Sequence, residues 1–192
     1  MRLFFGGLII LVLLEACGDA DVRAYTALVK KELSGKQRTD SIFFGIYLGM
    51  TPKAFYGHCW EMNKKGLFTD GLNNTAVLYR LNRHELQYAA AMNFYPDFYK
   101  DKLYKMRVVF QYNGWAPWNK KLYADHLLPD VLKMYQQWYP GGNPFITMRD
   151  PKRGTIYIKI DRNRRIIIGK ADDMQVKADY TDLLTAQQIS PE

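Results

Sequence analysis

Cysteine and histidine are scarce in this chain of 192 residues, which contains two cysteines and three histidines. Two thiols cannot build a disulfide-rich scaffold, nor a zinc site that needs three or four thiolates. The short catalytic motifs His-Glu-x-x-His and Gly-x-Ser-x-Gly and the phosphate-binding loop are also missing from the sequence. We therefore expect no metal, no cofactor and no catalytic residue.

Long apolar runs are equally scarce, and the one that matters lies at the start of the chain. It extends over twelve residues from Leu3 to Leu14 and follows the positively charged Arg2. A helix needs roughly 20 residues to cross a bilayer, so this run is too short to span one. It predicts the hydrophobic region of a secretory signal peptide. A buried N-terminal helix is the alternative, but Glu15 and Asp19 follow the run closely and disfavour it.

The remaining composition favours a folded core. Apolar residues make up 48% of the chain and aromatic residues 15%, which excludes disorder over most of its length. The length is that of one domain, since domains usually contain about 100–200 residues.

The segment Leu14-Glu15-Ala16-Cys17 resembles the lipobox of bacterial lipoproteins. The resemblance implies cleavage before Cys17, attachment of diacylglycerol to its thiol, and acylation of the new amino terminus. Several acyl chains suffice as an anchor because each buried methylene contributes about 0.8 kcal/mol. We expect a signal peptide at 1–16 and a lipid-anchored tether at 17–40. The protein would be exported and anchored to the bacterial cell envelope, at the outer membrane in preference to the inner.

Apolar periodicity predicts a single folded domain at 41–183 and a tail at 184–192. Ser41–Gly49 is an apolar, aromatic and β-branched run, which predicts a buried strand. Thr51 can cap a helix that begins at Pro52 and ends before Gly66.

Alternation of apolar and polar residues predicts an antiparallel sheet with one dry and one wet face. Lys105, Arg107 and Gln111 fall on the wet face. The predicted strands are Thr75–Leu81, Leu86–Tyr95, Leu103–Tyr112, Phe145–Arg149, Thr155–Ile160, Arg164–Gly169 and Gln175–Tyr180. Pro129 predicts a break between helices at Asn119–Leu127 and Pro129–Tyr139. The fold class is thus α+β, an antiparallel sheet packed against two main helices, with two similar halves as a further expectation.

The heptapeptide Gly49–Phe55 is similar to the Gly-Met-Ser/Thr helix start of small envelope lipoproteins with the β-lactamase-inhibitor-protein-like fold. Ala54 stands where those proteins often carry an acidic or amide residue. The resemblance implies an interaction module rather than an enzyme.

Few residues suggest catalysis. His58 and Cys59 are neighbours, but adjacent residues of a helix point about 100° apart and do not face each other. We therefore expect Cys59 to lie in the core and His58 at its edge, without a catalytic role. His84 and His126 lack spaced partners. The pair Asp172-Asp173 is typical of a solvated turn.

Basic residues concentrate between Arg149 and Lys170. This segment contains eight basic residues and two aspartates. The candidate anion-binding residues are Arg153, Arg162, Arg164 and Arg165. They would hold an anionic glycan, an anionic lipid or an acidic envelope protein. The alternative is a solvated sheet face and turn. Nucleic acid is not an expected partner, because an exported protein rarely meets it.

Two tryptophans, Trp115 and Trp118, lie in a Gly/Pro-containing loop and are candidate glycan-stacking residues. The alternative is that they cover an edge of the core.

Taken together, the sequence predicts a non-catalytic cell-envelope lipoprotein that acts as a binding or assembly module on the membrane surface, in contact with the bilayer through acylated Cys17. The first alternative is a glycan- or polyanion-binding lipoprotein. The second is a hydrolase whose site is not visible from the sequence.

Overall fold

The computed structural model describes residues 15–72 and 75–190. The predicted signal peptide lies outside these residues up to Leu14, and the side chain of Cys17 lies outside them as well. The described helices are α1 (Glu15–Leu33), α2 (Pro52–Lys64), α3 (Ala124–Trp138) and α4 (Leu183–Ile189), and a short 3-10 helix spans Lys120–Leu122. The strands are β1 (Phe68–Asp70), β2 (Val77–Leu81), β3 (Ala90–Tyr99), β4 (Lys102–Tyr112), β5 (Ile146–Asp150), β6 (Gly154–Asp161), β7 (Arg164–Lys170) and β8 (Gln175–Asp182).

All eight described strands form one sheet in the order β1-β2-β3-β4-β8-β7-β6-β5. Every neighbouring pair is antiparallel. The α+β class and the antiparallel sheet predicted from the sequence are therefore confirmed. The central pair is β4 with β8, so strands from distant parts of the chain meet in the middle of the sheet.

The main hydrophobic core lies on one face of the sheet, beneath α2, α3 and the segment 41–50. Alternate residues of β3, β4 and β8 point into it because successive side chains of a strand face opposite ways. Phe94, Val108, Phe110 and Tyr180 are fully buried there. Each such large apolar side chain contributes roughly 1.5–3 kcal/mol relative to exposure.

The opposite face of the sheet is covered only over part of its width. Over β6, the side chains of Ile156, Ile158 and Ile160 pack against Leu28 and Val29 of α1, and Leu183 of α4 joins this second cluster. The segment 184–192, predicted as a tail, thus forms α4 up to Ile189. Over β4 and β8 the face remains polar and carries Arg107 and Lys177, both exposed.

The strand predicted at Ser41–Gly49 is wrong. The segment instead makes tight turns with one isolated bridge between Ser41 and Tyr47. Phe44 and Gly45 both have positive φ, 49° and 83°, and the Ile46 amide donates to the Phe43 carbonyl at 2.9 Å. The turn folds the segment over the core, where Phe43 contacts Phe94 and Tyr180 edge to face. Most apolar residues of the segment are buried in this way, whereas Phe44 is half-buried and Tyr47 is exposed.

The predicted break at Pro129 is also wrong, since α3 runs continuously through it from Ala124 to Trp138. Proline removes one backbone donor from the helix interior and disfavours the helix there. Leu127, Val131 and Tyr135 on the inner face of α3 are fully buried in the core. This packing outweighs the lost hydrogen bond, and the part predicted as the start of the first helix becomes the 3-10 helix.

Candidate functional site

A cavity lies on the partly covered face of the sheet, between α1, α4 and strands β4, β7 and β8. Its volume is about 580 Å³. We call it the α1–α4 groove. Its polar lining comprises Tyr25, Thr26, Tyr104, Lys105, Arg165, Thr181, Gln187 and Ser190.

Strand register brings the charged residues of the α1–α4 groove together. Lys105 of β4 pairs with Thr181 of β8, and Thr181 pairs in turn with Arg165 of β7. The three residues therefore form one row across three adjacent strands on the same face. Neighbouring strands lie about 4.8 Å apart, so the backbones at Lys105 and Arg165 are separated by about 10 Å. Two cations thus flank one hydroxyl.

Arg165 is held in place by helix α1 and not by a carboxylate. Its Nη1 donates to the Tyr25 hydroxyl at 2.6 Å. Its Nε is buried and has no hydrogen-bond partner within the described ranges 15–72 and 75–190. A guanidinium has five N–H donors, and this one therefore keeps donor capacity for an incoming acceptor.

Lys105 forms no hydrogen bond or ion pair with any residue in the described part of the chain. Its cross-strand neighbour Asp97 is bonded to Arg107 instead, at 2.8 Å. None of the described residues that line the groove is acidic. The two positive charges of the groove therefore form no ion pair with any described residue, although Asp97 lies opposite Lys105 on the next strand.

Four apolar side chains, which we call the hydrocarbon wall, also line the α1–α4 groove. Val29 comes from α1, while Leu183, Ala186 and Ile189 come from α4. Ile189 remains 39% exposed. The groove thus combines a cationic row with a hydrocarbon wall, an arrangement that suits a ligand with an anionic and an apolar part.

Arg164, the neighbour of Arg165, lies on the other face of β7 and is only 5% exposed. Its Nη2 contacts Asp161 at 3.0 Å, and its Nη1 donates to the Ser41 carbonyl at 2.6 Å. The guanidinium also lies 4.6 Å from the centre of the Tyr139 ring. Its Nε, like that of Arg165, has no partner in the described residues. Arg164 is thus occupied by contacts within the fold.

Asp161 joins Arg164 to a buried lysine. Lys159 lies 3.4 Å from Asp161, is 3% exposed, and donates to the carbonyls of Gly141 and Asn143. The Asn143 amide donates to Asp161 at 2.9 Å. Partnered charges of this kind fix the loop after α3 against the sheet.

The remaining two candidate arginines lie elsewhere. Arg162 occupies the turn between β6 and β7, where its amide donates to Glu32 at 2.8 Å. A hydrogen bond from the Asn143 side chain, followed by this amide, lowers the pKa of Glu32. Arg153 lies 3.6 Å from Asp179. Of the four arginines named from the sequence, only Arg165 lines the α1–α4 groove.

The two loop tryptophans occupy different environments. Trp118 is 86% exposed. Trp115 packs against the core and lies 5.7 Å from the Tyr123 ring. Within the described ranges the Nε1 of Trp115 is buried without a hydrogen-bond partner. The two rings therefore do not form one stacking platform.

The histidine and thiol of α2 have separate partners. The Nε2 of His58 lies 2.7 Å from the Phe44 carbonyl oxygen. Cys59 is 8% exposed, and burial raises the pKa of its thiol to about 12. The thiol is thus protonated at neutral pH and is a weak nucleophile. Asp172 accepts the amides of Met174 and Gln175, as in a turn.

Within the described part of the chain, no group of three or more potential ligands could hold a metal ion, and no helix is long and apolar enough to cross a membrane. Comparisons of the chain with protein families, with curated proteins and with solved structures find no match.

Sequence reasoning named Arg165 but missed most of the groove. The prediction that Lys105 lies on the polar face of its strand is correct. Nothing in the sequence around Lys105, however, links it to Arg165. Tyr25 and Thr181 carried no signal of a site. Only the pairing of β4 with β8 unites these residues, and that pairing spans about 75 positions of the chain.

Proposed function

We propose that this chain is a non-catalytic, lipid-anchored protein of the bacterial cell envelope that binds acidic ligands in the α1–α4 groove. The observation that carries the proposal is the row Lys105–Thr181–Arg165, whose two cations lack a carboxylate partner among the described residues. Buried or half-buried arginines are normally paired, so an unpaired one in a cavity favours an external anion.

Attachment through Cys17 is supported by the lipobox and by the position of α1. The helix begins at Glu15, and its residues from Ala20 to Ala24 are exposed. From Tyr25 onward the helix packs on the sheet. The exposed part can act as a short stalk between the acylated residue and the domain.

A non-catalytic role is supported by the partners of the most reactive side chains. The Cys59 thiol is protonated and buried, and His58 is bonded to a backbone carbonyl. Catalysis by a cysteine would require a thiolate activated by a nearby base.

The proposed kinship with lipoproteins of the β-lactamase-inhibitor-protein-like fold and, separately, the proposed two similar halves are both supported by element order. Helix α2 is followed by four strands, and α3 is followed by four more. The last strands of the two sets pair with each other. The hydroxyl of Thr51 accepts the Ala54 amide at 3.2 Å and so caps α2 as the motif implies.

Glycan binding through Trp118 is a second candidate function, favoured by the 86% exposure of its side chain. An exposed indole can stack on a sugar face. Trp118→Ala would abolish retention on an immobilised glycan in this case, while Lys105→Gln would leave that retention unchanged.

Two measurements test the proposal. Mass spectrometry of the membrane fraction should find Cys17 at the amino terminus carrying diacylglycerol, and an unmodified Cys17 thiol or a retained Met1 would contradict the anchor. Retention on an immobilised polyanion should fall for the double variant Arg165→Gln/Lys105→Gln, and its salt dependence should flatten. The matched control is Arg80→Gln/Lys177→Gln, which removes the same charge from exposed positions of the same sheet face outside the groove. Equal losses in both double variants would contradict a specific site.

A further inference from the structure

We infer that the α1–α4 groove binds the phosphate of an anionic phospholipid in the membrane to which the chain is anchored, an inference that rests on the proposed lipid anchor at Cys17. The groove would then hold the domain against the membrane surface in a fixed orientation. Four observations carry this inference: the path of α1, the charge of the groove, its hydrocarbon wall and the exposed apolar residues beside it.

Helix α1 places the groove close to the anchor. Cys17 and Tyr25 belong to the same helix and are eight residues apart. At 1.5 Å per residue their backbones are separated by about 12 Å along the helix axis. The headgroup layer on each side of a bilayer is roughly 5–8 Å thick, so α1 must be inclined to the bilayer normal for a groove that begins at Tyr25 to reach the lipid headgroups.

The cationic row matches the chemistry of a phosphodiester. A phosphate oxygen can accept from the Arg165 guanidinium and from the Lys105 ammonium group, and the intervening Thr181 hydroxyl adds a neutral donor. Arginine is suited to this task because its planar fork of donors fits the geometry of phosphate. Tyr25 orients that fork through its hydroxyl, at 2.6 Å from Nη1.

The apolar wall distinguishes a lipid from a soluble anion. Val29, Leu183 and Ile189 line the same groove as the cations. An inorganic phosphate or a sulfated sugar would leave these apolar side chains in water. The glycerol and first methylenes of a phospholipid would cover them and remove their apolar surface from water.

Exposed apolar residues continue from the groove toward the anchor. Val22, one turn before Tyr25 on α1, is 55% exposed, and Ile189 at the end of α4 is 39% exposed. Exposed apolar residues on a helix that leads to an acylated residue are suited to the interface between water and acyl chains. Anionic headgroups attract basic residues near the membrane surface in addition.

The test uses the full, acylated protein in neutral detergent micelles, with phosphatidylglycerol titrated in and bound lipid counted by native mass spectrometry. Wild type should retain one phosphatidylglycerol. Arg165→Gln/Lys105→Gln should weaken this binding at least about tenfold, whereas the control Arg80→Gln/Lys177→Gln should change it less than about twofold. Equal weakening in the two double variants, or none in the first, overturns the inference.

Two single variants protect the test against loss of folding. Lys105 makes no described polar contact within the fold, so Lys105→Gln should fold like wild type and still weaken lipid binding. Tyr25→Phe removes only the hydroxyl that orients Arg165 and should weaken binding by a smaller factor. Normal binding in both variants overturns the inference.

Two further measurements distinguish a lipid phosphate from free phosphate as the ligand. They also distinguish failure of the lipid inference from failure of the proposed function. Inorganic phosphate and zwitterionic phosphatidylcholine, titrated over the same range, should each bind much more weakly than phosphatidylglycerol. Binding of inorganic phosphate as tight as that of the lipid overturns the lipid inference and leaves the acidic-ligand groove standing. An unmodified Cys17 in the membrane fraction instead overturns the anchor, and the lipid inference that depends on it.

Discussion

Arg164 and Arg165 are adjacent in β7, yet they serve opposite faces of the sheet. Arg164 lies in the core face, 5% exposed, bonded to Asp161 and covered by Tyr139. Arg165 lies in the α1–α4 groove, and its side chain bonds no described residue other than Tyr25, through the Tyr25 hydroxyl. Successive basic residues of a strand face opposite sides of the sheet and therefore lie in two different environments. A count of the charges along the sequence consequently overstates the charge of either face.

The largest expected difference between the two arginines is in the loss of stability when each guanidinium is removed in turn. Arg164→Met should lower the free energy of unfolding by about 3–5 kcal/mol, because it breaks a buried ion pair and leaves Asp161 with less compensation. Arg165→Met should cost only about 1 kcal/mol, the value of one hydrogen bond. Urea denaturation of both variants measures the difference.

Equal losses of stability in Arg164→Met and Arg165→Met would show that the two arginines are equivalent supports of the fold. The anion-binding role of Arg165 would then lose its structural basis.

The loop after α3 contacts Lys159 and Asp161, and Asp161 pairs with Arg164, so a substitution in this loop tests how much these buried charges support the core face. Gly142 has φ of 72°, and a Cβ there would clash with Oδ1 of Asp161. Gly142→Ala should therefore cost about 2 kcal/mol or more, because it adds a clash with Asp161 to the backbone strain. Gly154→Ala is the matched control, since φ is 73° and the space is open; its cost should be only the strain of about 1 kcal/mol. Thermal unfolding of the two variants compares them, and equal costs would contradict the importance of the Asp161 contact.

High pH should act on the core face through Tyr139. Burial raises the pKa of its phenol above the ordinary value of 10.0. The folded state therefore holds the neutral form, and the contribution of this group is complete below about pH 10 and is lost as the pH rises above that value. Tyr139→Phe should cost about 2–3 kcal/mol at neutral pH, because it removes the hydrogen bonds to the Ile42 carbonyl and to the buried Tyr180 hydroxyl.

The curve of unfolding free energy against pH should also be flatter above pH 10 in Tyr139→Phe than in wild type. Tyr56→Phe, at a position that is 58% exposed, should leave the curve unchanged. Parallel curves for wild type and Tyr139→Phe would refute the prediction that the Tyr139 phenol contributes to the loss of stability above pH 10.

The smallest effect is expected at Trp118, outside both regions. Its side chain is 86% exposed, so Trp118→Ala should change the free energy of unfolding by less than about 0.5 kcal/mol. A loss of 2 kcal/mol in urea denaturation would mean that the ring covers part of the core.

Much of the fold could be predicted because local signals agree with it. Alternation located β3, β4, β6 and β8 to within a few residues, and Thr51 with Pro52 fixed the start of α2. The errors arose where tertiary packing overrode a local signal. Phe43 and Phe44 suggested a strand, but their rings are buried by a tight turn, and the inner face of α3 carries the helix past Pro129.

The site was less predictable because it is assembled from four separate parts of the chain. Arg165 and Lys105 are brought together by the pairing of β4 with β8, and no periodicity within either strand encodes that pairing. Alternation in the segment Arg164–Gly169 could have shown that its first two arginines face opposite ways. It could not have shown that Asp161 neutralises one of them while the other meets Tyr25.

The position of β8 at the centre of the sheet has a consequence for synthesis. Because β4 pairs with β8 and not with β5, one edge of β4 stays without a neighbour until the last strand has emerged from the ribosome. A nascent chain that stops short of Gln175 presents an open edge to other chains, which is a template for aggregation. Non-local closure of this kind is also slow, so we expect the unfinished chain to need protection by chaperones until its final strand completes the sheet.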